Sequence, residues 1–80
     1  MTTVTVQYYA QLREQAGASG EQFTTTAASL HELYDELRGR HSFSLPVDAL
    51  KVAVNAQFSD WDRALHEGDT IVFIPPVAGG

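Results

Sequence analysis

The chain has 80 residues, 44% hydrophobic, 10% aromatic and 19% charged, which is enough apolar mass for one small core and excludes a disordered tail. Ten acidic residues against five basic ones leave a formal charge of −5 and a pI near 4.8, which excludes the basic footprint of a nucleic-acid binder and of a surface that docks on anionic lipid. Without cysteine there is no disulfide staple, thiolate zinc site or cysteine nucleophile; the apolar runs are far shorter than a bilayer span and no secretory leader is seen, so a cytoplasmic domain is expected.

Residues 3–9 alternate, with Val4, Val6 and Tyr8 on one face and Thr3, Thr5 and Gln7 on the other, which predicts a strand with one face buried. Leu12 and Ala16 are four apart in a polar stretch that Gly17 follows, so residues 10–16 are expected to form a short helical turn closed by glycine. Residues 21–26 place Phe23 and Thr25 on one face and are expected to pair with the first strand. Ser29 and Glu32 stand in capping-box spacing, and Leu30, Leu33, Tyr34 and Leu37 follow at i, i+3, i+4 and i+7. That pattern predicts a helix over residues 30–38, stopped at Gly39, with Arg38 and Arg40 beside its negative end. Residues 41–48 read as a connector, extended before Pro46.

Residues 51–55 predict a strand with Val52 and Val54 on one face, and Asn55 and Ala56 a turn into a less regular strand over residues 57–61. Residues 65–69 form a turn around Gly68, and the β-branched and aromatic run 70–74 a strand, ended by Pro75 and Pro76. With one long helix and no repeated βαβ unit, a doubly wound parallel sheet is excluded. The expected fold is α+β, a mixed sheet with the main helix packed across one face. A right-handed crossover over that helix would return the later strands beside the first.

Ordinary catalytic constellations are missing from the sequence. His31, His41 and His66 have no metal spacing and read as surface histidines, and Asp60 and Asp62 beside Trp61 read as a solvated strand edge. The C-terminal residues carry the chemistry instead. Two prolines stiffen the exit from the last strand, and Val77, Ala78, Gly79 and Gly80, extended, reach about 14 Å beyond them. Glycines without Cβ let the backbone thread a narrow channel. A terminal carboxylate presented this way can attack ATP, giving an acyl-adenylate open to a sulfur or nitrogen nucleophile. Residues 1–76 are therefore expected to be one domain and 77–80 a flexible tail. If Ile71 and Phe73 face the helix, Val72 and Ile74 point outward as an apolar strip for a partner; burial of both faces within the chain is an equal alternative.

The ending Phe73, Ile74, Pro75, Pro76, Val77, Ala78, Gly79, Gly80 resembles the Pro-Pro-Val-x-Gly-Gly signature of molybdopterin synthase small subunits, which are ubiquitin-like sulfur carriers. Tyr9, Ala10, Gln11, Leu12, Arg13 and Glu14 with Gly17 resemble the exit from that family's first strand, and Val54 with Asn55, and Leu65 with Gly68 and Asp69, its later strand and turn. The resemblance spans essentially the whole chain. It departs at Tyr9, where phenylalanine is common, and at Thr70, often acidic, and residues 41–48 match no family motif.

The resemblance implies a β-grasp fold and a two-stage cycle. An activating enzyme would adenylate Gly80 with ATP, no cofactor being bound by the chain itself, and sulfur transfer would convert it to a thiocarboxylate. The tail, Pro75 through Gly80, would then thread the active site of the large synthase subunit and give sulfur to cyclic pyranopterin monophosphate. Catalytic side chains would belong to that large subunit, in a heterotetramer with two copies of each. Two alternatives stay open: a related carrier feeding thiamine, cysteine or tRNA thiolation, and a protein modifier conjugated to lysine.

Overall fold

The alternation of the first residues is realised as β1, Thr2–Tyr8, in which Val4, Val6 and Tyr8 are buried; it opens a computed structural model that describes residues 1–76. The chain leaves β1 through a left-handed Ala10 into α1, Ala10–Ala16, which buries Leu12 and ends at left-handed Gly17, whose N–H donates to the Arg13 carbonyl at 3.0 Å. β2, Gly20–Thr25, returns antiparallel to β1, with Phe23 opposite Val4. A Cβ on Gly20 would lie 2.8 Å from the Val6 carbonyl oxygen, so the two backbones come too close there for any other residue.

The main helix α2, Leu30–His41, starts at Ser29, whose Oγ accepts from the Glu32 N–H at 3.3 Å, while Glu32 Oε1 accepts from the Ala28 N–H. Its stripe of Leu30, Leu33, Tyr34 and Leu37 is fully buried. The expected stop at Gly39 is corrected: the helix runs on to His41 and ends at left-handed Ser42. A glycine inside a helix costs about 1 kcal/mol relative to alanine, and tertiary contacts offset it. Arg40 lies over the Phe23 ring, His41 bonds Glu21, and the Arg38 carbonyl accepts the N–H of buried Phe43. His41 is thus largely buried, against the surface position expected for it. After Pro46 the connector contains a single 3₁₀ turn, Val47–Ala49, that the sequence pattern did not predict.

β3, Lys51–Val54, turns through left-handed Asn55 and Ala56 into β4, which is only Gln57–Phe58 rather than the expected residues 57–61. The shortfall has a cause. Trp61 leaves the sheet to stack on Phe73, ring centroids 5.8 Å apart, and its carbonyl accepts the His31 N–H at 3.0 Å. The Arg63 carbonyl likewise takes the Leu30 N–H, so this loop satisfies donors that the start of α2 leaves free. Asp60 and Asp62 accordingly sit in a turn rather than on a strand edge. Gly68 turns the chain with positive φ into β5, Thr70–Ile74.

Among the described residues five strands lie in the order β2-β1-β5-β3-β4, with β5 parallel to β1 and every other pair antiparallel. The crossover over α2 thus brings the last strand to the centre of the sheet, beside the first. Val4, Val6, Tyr8, Ile71, Phe73 and Val52 from the sheet close on the leucines and Tyr34 of α2. Burying each such side chain contributes about 1.5–3 kcal/mol. Among the described residues no helix is long and apolar enough to cross a membrane.

Candidate functional site

β5 is flanked along its length by β1 and β3, so its two faces are sorted strictly. Ile71 and Phe73 are fully buried against α2, while Val72 and Ile74 are half-buried on the opposite face. The register extends that face sideways. Val72 lies opposite Ala53 of β3, and Ala53 opposite Phe58 of β4, whose side chain is 76% exposed. Ile74 lies opposite Lys51, and on the other side of β5 Val72 meets polar Gln7. An apolar strip of Phe58, Ala53, Val72 and Ile74 therefore crosses half of the sheet, with Lys51 at its border. Sequence reasoning named Val72 and Ile74 and missed Phe58 and Ala53. The signal was available: alternation within residues 51–54 puts Ala53 opposite to Val52 and Val54, and the Asn55-Ala56 turn sets Phe58 against it.

The strand ends at Ile74 and is followed by Pro75, which is buried, and Pro76, which is exposed. Val77, Ala78, Gly79 and Gly80, named above as the reacting tail, lie outside the described residues.

The other end of β5 is held by a buried carboxylate that the sequence presents as an ordinary turn residue. Asp69 Oδ2 accepts from Arg63 Nη1 at 3.0 Å and from the His66 N–H at 2.9 Å. Its Oδ1 accepts from Asn55 Nδ2 at 3.0 Å, and Asn55 Oδ1 takes the N–H of Thr70. Burial pushes the Asp69 carboxyl up, but these hydrogen bonds and the Arg63 charge outweigh it and hold it below the usual carboxylate range. The root of β5 is thereby fixed to the hairpin turn and to the loop before it.

Other groups are arranged differently. His31 stands 3.8 Å from Asp35 on the exposed side of α2, and His66 is exposed. Among the described residues no three histidine, aspartate or glutamate side chains converge as a metal site. The depressions along the β3–β4 edge and beside Tyr9 and Arg13 open broadly to the surface.

The ThiS family model matches residues 6–80. The chain belongs to the ThiS family. Two molybdopterin synthase sulfur carrier subunits resemble it over nearly their whole length. That of Escherichia coli (strain K12) is 29% identical over 80 residues, covering 96% of this chain and 99% of the relative. That of Haemophilus influenzae is 32% identical over 78 residues, covering 94% and 96%. The chain is thus a ubiquitin-like sulfur carrier resembling the molybdopterin synthase small subunits.

Solved structures agree on the β-grasp fold. SAMP1 from Haloferax volcanii superposes with a TM-score of 0.81 at 25% identity, covering 98% of this ThiS family member and 99% of that chain. A chain from the complex of subunits 1 and 2 of molybdopterin-converting factor from Helicobacter pylori 26695 gives 0.66 at 28% identity, covering 99% and 100%. The ubiquitin of Caldiarchaeum subterraneum, 14% identical, gives 0.64 over 99% of this chain and 98% of its own, and shows the fold alone.

Proposed function

We propose that this chain is the sulfur-carrying small subunit of a molybdopterin synthase. In this reading the Gly80 carboxylate attacks the α-phosphate of ATP on an activating enzyme, forming a glycyl adenylate and releasing pyrophosphate. Hydrosulfide from a sulfur donor then attacks the adenylate carbonyl and displaces AMP, and the product is a Gly80 thiocarboxylate. The tail enters a large subunit, where its sulfur bonds to a carbon of cyclic pyranopterin monophosphate in place of an oxygen and water cleaves the carbonyl–sulfur bond, returning Gly80 as a carboxylate, one sulfur per loaded chain. The observation that carries this reading is the family match, which runs through the Gly79-Gly80 end and includes two relatives named as molybdopterin synthase sulfur carrier subunits. The complexed subunit from Helicobacter pylori supports a large-subunit partner. The strip of Phe58, Ala53, Val72 and Ile74 beside the root of the tail is a surface such a partner could cover. Apolar area next to a threaded tail adds affinity without touching the reacting carbonyl.

Intact-mass spectrometry tests the chemistry. After incubation with the cognate activating enzyme, ATP and a sulfur donor, the chain should gain the mass difference between sulfur and oxygen. Absence of that species under conditions that load a known carrier would reject the reading. Deleting the gene assigns the pathway: loss of molybdoenzyme activity with growth still independent of thiamine and cysteine supports it. Auxotrophy for either would move the chain to a related carrier. The likeness to SAMP1, a small archaeal modifier protein by name, favours one second reading, a protein modifier, and an isopeptide between Gly80 and a cellular lysine would promote it.

A further inference from the structure

Three contacts join α2 to β2, which lies at one end of the strand order among the described residues, at alternate β2 positions. Thr25 Oγ1 donates to Glu36 Oε1 at 2.5 Å, Arg40 lies 5.5 Å over the Phe23 ring, and His41 Nε2 lies 2.6 Å from Glu21 Oε2. The last of these is reinforced from β1, since the Tyr8 hydroxyl donates to the same Glu21 oxygen at 2.7 Å. The side chains of His41 and Glu21 are only 15% and 22% exposed. The helical turn they hold is weak by itself: it follows Gly39 inside the helix and ends on left-handed Ser42. Behind it, Phe43 packs edge-on to Tyr8 and against His41, and Ser44 is held by Gln11 and Gln15 of α1.

We infer that Glu21, His41 and Tyr8 form a pH-sensitive latch that fastens the last turn of α2, and the connector behind it, to the edge of the sheet. The groups facing His41 are Glu21 from β2, Tyr8 from β1 and Phe43 from the connector, with Arg40 next to it on α2. One carboxylate oxygen takes two donors, which the ionised form alone does well. Protonating Glu21 weakens that oxygen as an acceptor and leaves the Tyr8 hydroxyl and the imidazole without a strong partner in a largely buried place. The latch therefore opens from the acid side. A neutral imidazole with its proton on Nε2 still donates, so loss of the His41 charge alone leaves the hydrogen bond in place. Burial pushes the Glu21 carboxyl up, but the bonds from Tyr8 and His41 and the charges of His41 and Arg40 hold it lower than usual, which keeps the latch shut at neutral pH. Opening releases residues 39–45 as a local unit while β1 and β5 keep their pairing. This inference is independent of the sulfur chemistry.

Amide hydrogen exchange on the full chain tests it. Glu21→Gln should speed exchange at residues 39–43 by about tenfold or more at neutral pH, leaving β1 and β5 within about twofold of wild type. His41→Gln, which keeps a donor without the charge, should show a smaller increase confined to the same residues, and His31→Gln on the exposed side of α2 should show none. After correction for intrinsic rates, opening of this segment in the wild type should rise as pH falls through the acid range and stay flat in Glu21→Gln. Unchanged exchange at 39–43 in both latch variants, or an equal rise across β1 and β5, would overturn the proposal. If Glu21→Gln does not fold, His41→Gln decides by the same criterion.

Discussion

The side chains of Asn55 and Asp69 meet across 3.0 Å, with Nδ2 of the first donating to Oδ1 of the second, so the hairpin turn after β3 is tied to the turn that starts β5. Arg63 and the His66 N–H complete the set on the other carboxylate oxygen. Asp69→Ala would take the shared acceptor away from three donors in a partly buried place. The expected loss is about 2–4 kcal/mol, more than enough to lower Tm by about 10 °C in a domain of this size. Thermal unfolding measures it, and Asp69→Asn should fall between alanine and wild type. An alanine variant as stable as wild type would mean that the network adds nothing.

Acid stability follows from the two carboxylates that native contacts hold low. Glu21 and Asp69 both titrate below their ordinary range in the folded chain. A depressed folded pKa adds stability that is complete above the unfolded value and is lost as pH falls through the folded one. Unfolding free energy should therefore hold from neutral pH to about 5 and drop below about 4. Denaturant titrations across that range check the slope, which Asp69→Asn should make shallower. A stability that rises on acidification would contradict the assignment.

Ala56 sits at φ 72 in the two-residue turn between β3 and β4. Asparagine tolerates the left-handed region at Asn55, but alanine at the second position carries a steric cost that glycine avoids. Ala56→Gly should stabilise the chain by about 0.5–1 kcal/mol, less the extra backbone entropy of glycine. A raised Tm is the readout, and a lowered one would show that Ala56 makes a contact worth more than the strain.

Much of this fold was legible because the signals were local. Period-two alternation marked β1, the Ser29–Glu32 spacing with four apolar residues marked the start and face of α2, and Gly17 and Gly68 marked turns that have positive φ. The misreadings share the opposite cause. Gly39 looked like a stop, since only distant partners, Glu21 and Phe23, carry the helix past it. Residues 57–61 looked like a strand because Trp61 is drawn off by Phe73, twelve positions later. Phe43 lies in a segment with no periodic pattern, yet it stacks on Tyr34 in the core. Of the candidate site, the two faces of β5 could be sorted from alternation, whereas the sideways extension to Phe58 needed the strand order.

Ile74 faces away from α2 and is half-buried, opposite Lys51. If the proposed large-subunit partner covers this strip, Ile74→Asp should weaken its binding by about tenfold or more while costing less than about 1 kcal/mol of stability. Calorimetric titration beside thermal unfolding separates the two. Loss of folding without a separate binding defect would place Ile74 in the core.

Gly80 is tested on its own terms. The described core is assembled from residues between Val4 and Phe73, so Gly80→Ala and deletion of Gly80 should leave Tm unchanged. Misplacement of the carbonyl by an added methyl can cost on the order of 100-fold in rate. Single-turnover thiocarboxylate formation should fall accordingly in the alanine variant and further in the deletion. Full sulfur transfer by the deletion variant would end the carrier reading.

The central position of β5 also has a mechanical consequence. A strand bonded to a parallel neighbour on one side and an antiparallel one on the other cannot be peeled from an edge. Tension applied at Pro76 along the axis of β5 loads the hydrogen bonds to β1 and β3 in shear, so they share the force rather than break in succession. A pull on the chain beyond Pro76 along that axis is therefore met in the direction in which the sheet yields last.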